Sequence, residues 1–544
     1  MNNQPPPLQD YNLFSTDRAL LDALDRAAPA FDRTELLQLG ALAGDPGTIE
    51  LGFDANRNSP ELRTHDRFGE RIDEVHFHPS YHALMCVAVT SGLHAAPWCD
   101  KDPNAHLQRA AKFFVWSQVE GGHLCPISMT YAAVPAIERA PALASQWVEK
   151  LGARCYDPRL VPIAEKEAAI CGMGMTERQG GSDVRANQTR AQRTGEDGEY
   201  LLEGHKWFCS APMSDAFLVL AQAERGLSCF LVPRVLPDGT RNPFAIQRLK
   251  DKLGNRSNAS SEVEFAGTHA WLVGEEGRGI QTIVEMVNGT RLDCIIGSAA
   301  LLRAALAQAV HHATYRQTFG APLIDHALMQ NVLADLALES EAATALFVRL
   351  ARAVDEAPVS AQAAALKRIG TAVGKFYVCK RAPAFVAEAL ECLGGNGYVE
   401  ESIMPRLYRE APLNSIWEGS GNINALDVLR IVSKQPAAVE ALFAELEPGT
   451  RDPRIAAAVR ELRDDFAEDD LEWRARSLVE RMATLWQASL LLESAPNYVS
   501  DCFIASRVTP GAGRTIGTLP IKTALRAIVE RAAPREADVV SAGR

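Results

Sequence analysis

The sequence contains no Cys-x-x-Cys pair, although it has 11 cysteines. A structural zinc site or a disulfide framework needs such paired spacings, so neither is expected, and no metal site is predicted. Single thiols scattered along a chain of 544 residues are typical of buried side chains in a reducing compartment.

The sequence also lacks a long apolar run and an excess of positive charge. We find no stretch of about 18 apolar residues, which predicts no membrane span. The start, Met1-Asn2-Asn3-Gln4, has neither a basic cluster nor an apolar core, which argues against a secretory signal. The net charge of -12 argues against wholesale coating of nucleic acid but leaves a local basic patch open. We therefore expect a cytoplasmic protein.

The length and the pattern of apolar residues predict four domains. Residues 1–170 and 286–433 carry apolar residues at three- and four-residue steps, which predicts helices, and the long segments 328–353 and 361–393 indicate a bundle. Residues 171–285 contain short β-prone runs separated by glycine turns, which predicts a β domain. Residues 434–544 are again helical in composition. The β-prone runs are residues 200–202, 217–221, 229–232 and 262–265.

Glycines and hydroxyls are concentrated in Met173-Gly174-Met175-Thr176-Glu177-Arg178-Gln179-Gly180-Gly181-Ser182-Asp183. Glycines let a backbone approach a ligand closely, and free N–H groups can hold a phosphate or a ring heteroatom. The segment lacks the Gly-x-Gly-x-x-Gly spacing, so a Rossmann site is not favoured. Taken alone, it could equally be a solvent-exposed loop.

A second candidate segment is Lys206-Trp207-Phe208-Cys209-Ser210, which ends a β-prone run. An indole next to a hydroxyl can stack on a flavin and bind its edge. The alternative is a core tryptophan on an ordinary strand.

A third segment, Ile416-Trp417-Glu418-Gly419-Ser420-Gly421-Asn422, precedes a predicted helix. A carboxylate against an aromatic residue in an apolar setting should have a raised pKa, which suits a general base. The N–H groups at the helix start form a natural anion site. The alternative is a surface glutamate followed by an asparagine cap.

The predicted bundle contains a fourth set of residues: Arg291, Arg316 with Phe319, Gln330, and the turn Leu393-Gly394-Gly395-Asn396-Gly397-Tyr398. Arginine is the preferred partner of phosphate oxygens. Each arginine alone could equally be an ordinary surface residue.

Together these segments resemble the acyl-CoA dehydrogenases. Met175-Thr176-Glu177 with Gly181-Ser182-Asp183 is similar to the family loop Met-Thr-Glu-Pro-x-x-Gly-Ser-Asp, which with the tryptophan strand cradles the flavin ring. Arg316-Gln317-Thr318-Phe319-Gly320 resembles Arg-x-x-Phe-Gly, whose arginine reaches the FAD of a neighbouring subunit. Glu418 matches the catalytic glutamate of Tyr-Glu-Gly-Thr. The resemblance covers about residues 80–433.

Within this family, the chain most resembles the AidB branch, which is linked to the bacterial response to DNA alkylation. Gly204-His205-Lys206-Trp207-Phe208 and the segments 249–260 and 414–422 carry this closer likeness. That branch adds a C-terminal helical region to the family plan, as residues beyond 433 do here. In that branch the likeness runs nearly end to end.

Two departures from the family pattern concern the flavin. Arg178-Gln179 stands where the family has proline, and Cys209 stands where a hydroxyl is usual. The flavin N5 contact is therefore open. Some relatives carry the base beside Arg291, but Thr290 occupies that place here, so Glu418 is the one matched candidate.

The resemblance implies the multidomain acyl-CoA dehydrogenase fold: an N-terminal α-helical domain, a middle β-barrel-like domain, a C-terminal four-helix bundle, and here an extra C-terminal helical domain. It also implies bound FAD and a homotetramer. Arg291 is the candidate substrate ligand. The residues expected to bind FAD are Met173, Met175, Thr176, Gly181, Ser182, Trp207, Phe208, Cys209, Ser210, Arg316, Phe319, Gln330, Gly394, Gly395, Ile416, Trp417, Gly419, Ser420, Gly421 and Asn422.

Two functions are compatible with this resemblance. In the first, Glu418 removes the α-proton of an acyl-CoA while the β-hydride passes to the flavin. In the second, an AidB-type flavoprotein binds duplex DNA without regard to sequence and uses the dehydrogenase chemistry weakly. The alternative to a DNA role is a fully active dehydrogenase of fatty-acid or branched-chain catabolism.

The predicted DNA-binding surface lies in the C-terminal region. Residues 434–544 hold 15 Lys and Arg against 17 Asp and Glu, but the basic residues cluster near the end. Lys522 and Arg526 are four residues apart, so on a helix they would share a face. A solvated helix face is the alternative. The expected phosphate ligands are Arg507, Arg514, Lys522 and Arg526.

Overall fold

A computed structural model describes residues 3–195, 198–466, 468–509, 513 and 515–535. They form two compact units. The sheet unit consists of Glu50–Ala105 and Glu120–Thr290, and the helical unit consists of Met1–Ile49, His106–Val119 and Arg291–Arg544, as far as these ranges are described.

The elements are numbered in chain order. The helices are α1 Arg18–Ala27, α2 Thr34–Ala43, α3 Pro46–Arg57, α4 Pro79–Thr90, α5 Ala96–Cys99, α6 Ala105–Ser117, α7 Leu124–Ile137, α8 Pro141–Gly152, α9 Gly279–Tyr315, α10 Ala327–Glu356, α11 Ala361–Glu391, α12 Met404–Glu410, α13 Gly421–Lys434, α14 Pro436–Leu446, α15 Pro453–Asp465, α16 Leu471–Ser494, α17 Asn497–Phe503 and α18 Leu525–Ala532. The strands are β1 Glu61–His65, β2 Arg71–His76, β3 Cys171–Gly174, β4 Arg190–Arg193, β5 Glu199–Ser210, β6 Ala216–Ala223, β7 Gly226–Pro233, β8 Ala245–Leu249, β9 Ser260–Val273, β10 Gln317–Thr318 and β11 Ala321–Pro322.

The sheet unit is built on a seven-stranded sheet that closes on itself. Its strand order is β3-β6-β4-β5-β9-β7, β8 pairs with β9, and a further pairing of β6 with β7 closes the ring. Inward-facing aromatic side chains, among them Phe217, Phe230, Phe244 and Phe265, fill the interior. Strands β6, β4, β5, β9 and β7 form the closed ring, and β3 and β8 each pair with one strand of it, so the ring is a rigid support for the loops at its ends.

The four β-prone runs of the sequence lie within β5, β6, β7 and β9, which confirms the predicted strands. Antiparallel hairpin β1–β2 was not expected, since residues 1–170 were predicted to be helical. Its strands alternate poorly in polarity, so the two-residue period that reveals a half-buried strand is weak there.

The helical unit is organised around the long helices α9, α10 and α11 together with α13. Gly370 and Gly374 on α11 permit close packing, because a Cβ at Gly370 would lie 2.7 Å from the Trp486 ring on α16. A Cβ at Gly374 would lie 2.8 Å from Leu346 Cδ2 on α10. Helices α14 to α18 therefore extend the same compact unit, and the predicted helical architecture is confirmed.

Helix α9 bears on the expectation that no segment spans a membrane. It contains an 18-residue window with a mean hydropathy of 1.4, long and apolar enough to cross a membrane by composition alone. The chain buries 83% of that window. Such burial is that of a core helix, and no other described helix meets the same test.

Candidate functional site

Side chains from α9 and α11 hold the carbonyl groups of the turn that precedes α13. The Lys375 ammonium donates to the carbonyls of Trp417, at 2.8 Å, and Gly419, at 2.7 Å. Arg291 Nε donates to the Glu418 carbonyl at 2.9 Å. Lys375 is buried, so these charge-assisted bonds are shielded from water. The backbone on both sides of Glu418 is therefore fixed.

A second group of side chains completes the turn. Asn424 Nδ2 donates to the carbonyls of Gly419, at 2.6 Å, and Ser420, at 3.0 Å. Trp417 Nε1 donates to Asn414 Oδ1 at 3.0 Å. Successive carbonyls from Trp417 to Ser420 thus accept bonds from side chains, which fixes the local path of the chain.

The turn holds Glu418 in an uncommon backbone conformation, with φ of 59°. Gly419 follows with φ of 96°, which a side chain would disfavour. Burial raises the pKa of the Cys294 thiol on α9 well above its ordinary value; Lys375 opposes this rise, and the nearby Glu418 carboxylate adds to it. Glu418 is itself half-buried. Backbone strain of this kind is concentrated at functional sites.

Arg291 joins the turn that contains Glu418 to α13. Its guanidinium donates to the Glu418 carbonyl and pairs with Asp427 at 2.8 Å, and its side chain is 9% exposed. Arg368 also pairs with Asp427, at 2.7 Å. Nε and Nη1 of Arg291 thus hold the turn and α13 in place, and its assignment as a substrate ligand stays a prediction.

In the sheet unit, a buried ion pair organises the loop Met173 to Asp183. Lys206 Nζ donates to Glu177 Oε1 at 2.7 Å and to the Leu220 carbonyl at 2.7 Å. The Glu177 carboxylate also accepts from the backbone N–H groups of Gln188, at 2.6 Å, and Thr189, at 3.2 Å. These donors, Lys206 foremost, outweigh burial and hold the pKa of Glu177 near 2. The carboxylate therefore stays charged and anchors the loop.

Two further contacts join this loop to β5. The Trp207 N–H donates to the Thr176 carbonyl at 2.8 Å, and Asn187 Nδ2 donates to the Met175 carbonyl at 3.0 Å. A Cβ at Gly181 would lie 2.6 Å from Thr176 Oγ1, so only glycine fits there. The residues Met173, Met175, Thr176, Gly181 and Ser182 thus lie on one folded loop beside Trp207.

A β-bulge in β5 corrects the prediction for Cys209. Lys206 pairs with Val263 and Cys209 pairs with Ser261, so Trp207 and Phe208 of β5 stand opposite the single residue Glu262 of β9. The bulge turns the Cys209 side chain into the core, where it is fully buried and burial raises the pKa of its thiol to about 12. The Cys209 thiol is therefore not a flavin ligand. Phe208 is exposed, and Ser210 Oγ lies 3.1 Å from Ser260 Oγ.

Trp207 is half-buried, and one face of its ring is already occupied. Lys250 Nζ lies 3.4 Å from the indole centroid and donates to Glu262 Oε1 at 2.5 Å. Arg178 and Arg248 also lie over this ring, with guanidinium carbons 5.5 Å and 5.8 Å from its centroid, so the indole has three cation–π contacts.

The residues of the predicted bundle that were expected to bind FAD lie at one end of the helical unit. Phe319 is fully exposed, and Gly394 and Gly395 face open space on the loop after α11. Gln330 lies in the first turn of α10. Arg316 Nη1 donates to the carbonyl of Asn3 at 2.7 Å, so the first described residues of the chain reach this loop.

The C-terminal basic residues are less available than the sequence indicated. Arg507 pairs with Asp335 and lies 3.6 Å from Glu339, with 15% of its side chain exposed. Arg526 pairs with Asp325 and with Glu530. Helix α18 begins at Leu525, so Lys522 precedes it and does not share a helix face with Arg526. The predictions for Arg507 and for that helix face are therefore wrong, and Arg514 lies outside the described residues.

Comparisons with known proteins agree with these elements. The chain matches the N-terminal domain of the adaptive response protein AidB over residues 3–158. It matches the acyl-CoA dehydrogenase middle domain over residues 172–268 and the C-terminal domain over residues 277–433. It is 50% identical to AidB of Escherichia coli (strain K12) over 467 residues, 85% of this chain and 86% of that protein.

The chain belongs to the acyl-CoA dehydrogenase family. It is a FAD-dependent oxidoreductase, as its homologues are. It is also 29% identical over 526 residues to acyl-CoA dehydrogenase family member 11 of Caenorhabditis elegans, covering 92% of this chain and 83% of that protein. The crystal structure of C. elegans ACDH-11 in complex with C11-CoA superposes with a TM-score of 0.81 at 26% identity, covering 97% of this chain and 92% of that one.

The geometry of this family member fits FAD. A Cβ at Gly394 or Gly395 would meet no atom within 4 Å, so the loop leaves room for a ligand. Helix α13 starts at Gly421, and its N-cap Ser420 makes no side-chain capping bond within the described structure. The N–H groups of the first turn of this 14-residue helix therefore have no side-chain cap, and a helix start of this kind suits a phosphate.

Several residues of the site were not assigned from the sequence. Glu177 and Lys206 stand inside the quoted motifs, and their pairing could have been proposed as one buried ion pair. Lys375, Asn424 and Asp427 give no such signal, because their role depends on how α11 and α13 pack beside the turn.

Proposed function

We propose that the chain dehydrogenates an acyl-CoA between its α and β carbons, with Glu418 as the base. The observation that carries this is the turn in which Lys375, Arg291 and Asn424 hold the backbone around Glu418. A general base must be held close to the proton that it removes. Hydrogen bonds to the successive backbone carbonyls of this turn hold Glu418 in one position. Bound FAD supplies the acceptor for the hydride.

In this reaction Glu418 takes the α-proton, and the C–H electron pair moves into the new double bond. The β-hydrogen leaves with its two electrons, so the substrate loses two protons and two electrons in all. The backbone N–H of Glu418 donates to the thioester carbonyl and stabilises the charge that develops there. Arg291 and Lys375 act as positioning residues.

Anaerobic mixing with a panel of acyl-CoA esters tests this proposal through loss of the flavin absorbance. The purified protein should contain one FAD per chain, released on denaturation. The variant Glu418→Gln should keep FAD and bleach about 10² to 10⁴ times more slowly, because an amide cannot accept the proton.

The exposed surface variant Glu401→Gln is the matched control and should bleach at the parent rate. Equal rates for Glu418→Gln and the parent, on an ester that the parent oxidises, would contradict the role of Glu418.

We also propose that the protein is a cytoplasmic homotetramer. All eleven cysteines are free thiols, as expected in a reducing compartment, although Cys86 and Cys99 are exposed and not buried as predicted. Three large apolar side chains are exposed at or near the predicted FAD loops: Phe319 at 100%, Leu328 at 84% and Tyr398 at 81%. Exposed apolar groups of this size favour burial against another subunit.

A role in the response to DNA alkylation, with binding of duplex DNA, is a second proposal. It is supported by the 50% identity to E. coli AidB and by the match to the N-terminal domain of an adaptive response protein. Of the basic residues predicted to contact DNA, Lys522 is exposed and outside the ion pairs formed by the described part of the chain. Lys522 is therefore the C-terminal residue best placed to bind a phosphate.

Mobility shift of a DNA duplex at several salt concentrations tests this second proposal. The log–log slope of affinity against salt should be negative, and Lys522→Ala should flatten it by about 0.9 for each phosphate contact removed. Arg526→Ala is the control, and it should change the slope less because Arg526 is already paired with two carboxylates. If the parent protein shows no salt-dependent mobility shift of the duplex at low ionic strength, the proposed DNA role is contradicted and only the dehydrogenase function is left.

A further inference from the structure

The sheet unit contains a cavity of about 300 Å³ that shares no residue with the segments assigned to FAD. It lies where β5 ends and where β3 and β6 begin, since Ile170, Ala211 and Asp215 all line it. Its mouth is formed by the exposed residues His76 and Pro158. The cavity is therefore a feature of the sheet unit alone.

Five of the thirteen residues that line this cavity carry aromatic rings. The Phe77 and Tyr81 rings are stacked, with centroids 4.3 Å apart and an angle of 15° between their planes. The His82 and Tyr156 rings, 5.9 Å apart, form another part of the wall. Flat apolar surfaces of this kind favour a planar ring, which can stack on one ring and meet others edge-on.

The cavity also offers hydrogen bonds. His82 Nδ1 lies 2.8 Å from the Tyr156 hydroxyl. Burial lowers the pKa of His82, so at neutral pH its imidazole is uncharged and pairs with that hydroxyl as either donor or acceptor.

Ser214 provides an independent indication of a ligand. It lines the cavity, its side chain is fully buried, and its Oγ has no hydrogen-bond partner among the described residues. A buried hydroxyl without a hydrogen-bond partner lowers the stability of the fold. Rotation about the single side-chain torsion of Ser214 can bring its hydroxyl to a ligand atom.

The charges around the cavity cancel. Lys166 lies 3.0 Å from Asp215 and 3.6 Å from Asp157, and Arg159 lies 2.7 Å from Asp157. Two carboxylates thus face two basic groups, and no charge is left to hold an ion. A charged ligand would lose its hydration here without gaining a counter-ion.

We propose that this cavity binds a neutral aromatic or heteroaromatic molecule of one or two fused rings with a hydrogen-bonding atom at its edge. The ring lies between the aromatic walls, and its polar atom bonds to Ser214 and to the His82–Tyr156 pair. The size follows from the volume, which is at the lower end of the roughly 300 to 1,000 Å³ typical of small-molecule pockets.

Ligand-observed saturation-transfer NMR on the FAD-loaded full chain tests the proposal. Phenol and indole are the probes; benzoate, which is charged, and cyclohexanol, which is not planar, are the comparison compounds. Phenol and indole should receive saturation from the protein, and the comparison compounds should receive much less. Titration should then give a dissociation constant about fivefold higher in each of Ser214→Ala and Tyr156→Phe, because each variant removes one hydrogen bond.

Ser145→Ala is the matched control, since Ser145 is exposed on α8 in the same unit. Circular dichroism establishes which variants fold, and if Ser214→Ala does not, the Tyr156→Phe measurement decides alone. Equal affinity of the folded variants and Ser145→Ala overturns the proposal, as does stronger binding of benzoate than of phenol. Because the readout is binding and not flavin reduction, it is independent of the catalytic role of Glu418.

Discussion

The ion pair between Glu177 and Lys206 shows how single residues fix the conformation of the loop Met173 to Asp183. Both side chains are fully buried, and the carboxylate anchors the loop through two backbone N–H groups as well as the ammonium. Replacing Lys206 with methionine leaves an uncompensated buried carboxylate, which should lower the free energy of unfolding by about 3 to 5 kcal/mol. Urea unfolding followed by circular dichroism measures this.

The double variant Glu177→Gln, Lys206→Met should lose less stability than Lys206→Met alone, since no charge is then left unpaired. An equal or greater loss in the double variant would mean that packing, and not charge, explains the effect.

The ion pair between Glu177 and Lys206 also predicts that the stability of the fold depends on pH. The pKa of Glu177 is lowered from 4.5 to about 2 in the fold, so its contribution to stability is complete above 4.5 and is lost as the pH falls from 4.5 to 2.

At the scale of residues, the sequence predicted which side chains lie near the site better than it predicted where those side chains point. Cys209 is two residues after Trp207, and a regular strand would put both on one face. The bulge against β9 reverses this, and it depends on a partner strand more than 50 residues away. Arg291 was likewise recognised as a site residue, but its partner Asp427 on α13 was not visible in the local sequence.

At the scale of elements, the turn before α13 is the most constrained part of the site. A Cβ at Gly419 would lie 3.0 Å from Ile423 Cγ2 and 3.3 Å from Arg291 Nη2, and its φ is 96°. Gly419→Ala should displace Glu418 and slow flavin bleaching at least about tenfold, which corresponds to about 1.4 kcal/mol. Stopped-flow absorbance on the best acyl-CoA ester measures this rate.

Gly195→Ala is the control for that variant, because a Cβ at Gly195 meets nothing within 4 Å. Its bleaching rate should equal that of the parent. A Gly419→Ala protein that bleaches at the parent rate would show that the left-handed turn is not needed to place the base.

Elements with a long, clear period were predictable, and short ones were not. The segments 328–353 and 361–393 correspond to α10 and α11, even though Pro383 lies within α11. Strands β3, β4 and β8 have four or five residues each and were not predicted. Such short strands exist because β5, β6 and β9 supply their hydrogen bonds, which a local pattern does not reveal.

At the scale of the whole molecule, the exposed Phe319 tests the proposed tetramer. Its ring is fully exposed on a loop with φ of 50°, beside Arg316. Phe319→Glu should shift the mass measured by light scattering below that of four chains and should release FAD on gel filtration, since a buried carboxylate opposes association. Phe68→Glu, at a side chain 75% exposed in the sheet unit, is the control and should change neither. A tetramer that keeps FAD in Phe319→Glu would contradict a role for this loop in assembly.

The division of the chain into two units also has a consequence for its synthesis. The sheet unit ends at Thr290, whereas the helical unit combines Met1–Ile49 with residues after Arg291. At roughly 5 to 20 residues per second, a ribosome needs about 13 to 50 s to make the 254 residues 291–544. During that time the sheet unit can fold, while helix α1 has left the ribosome before its partners α10, α16 and α18 are made. We therefore expect the nascent chain, more than the finished protein, to depend on chaperones.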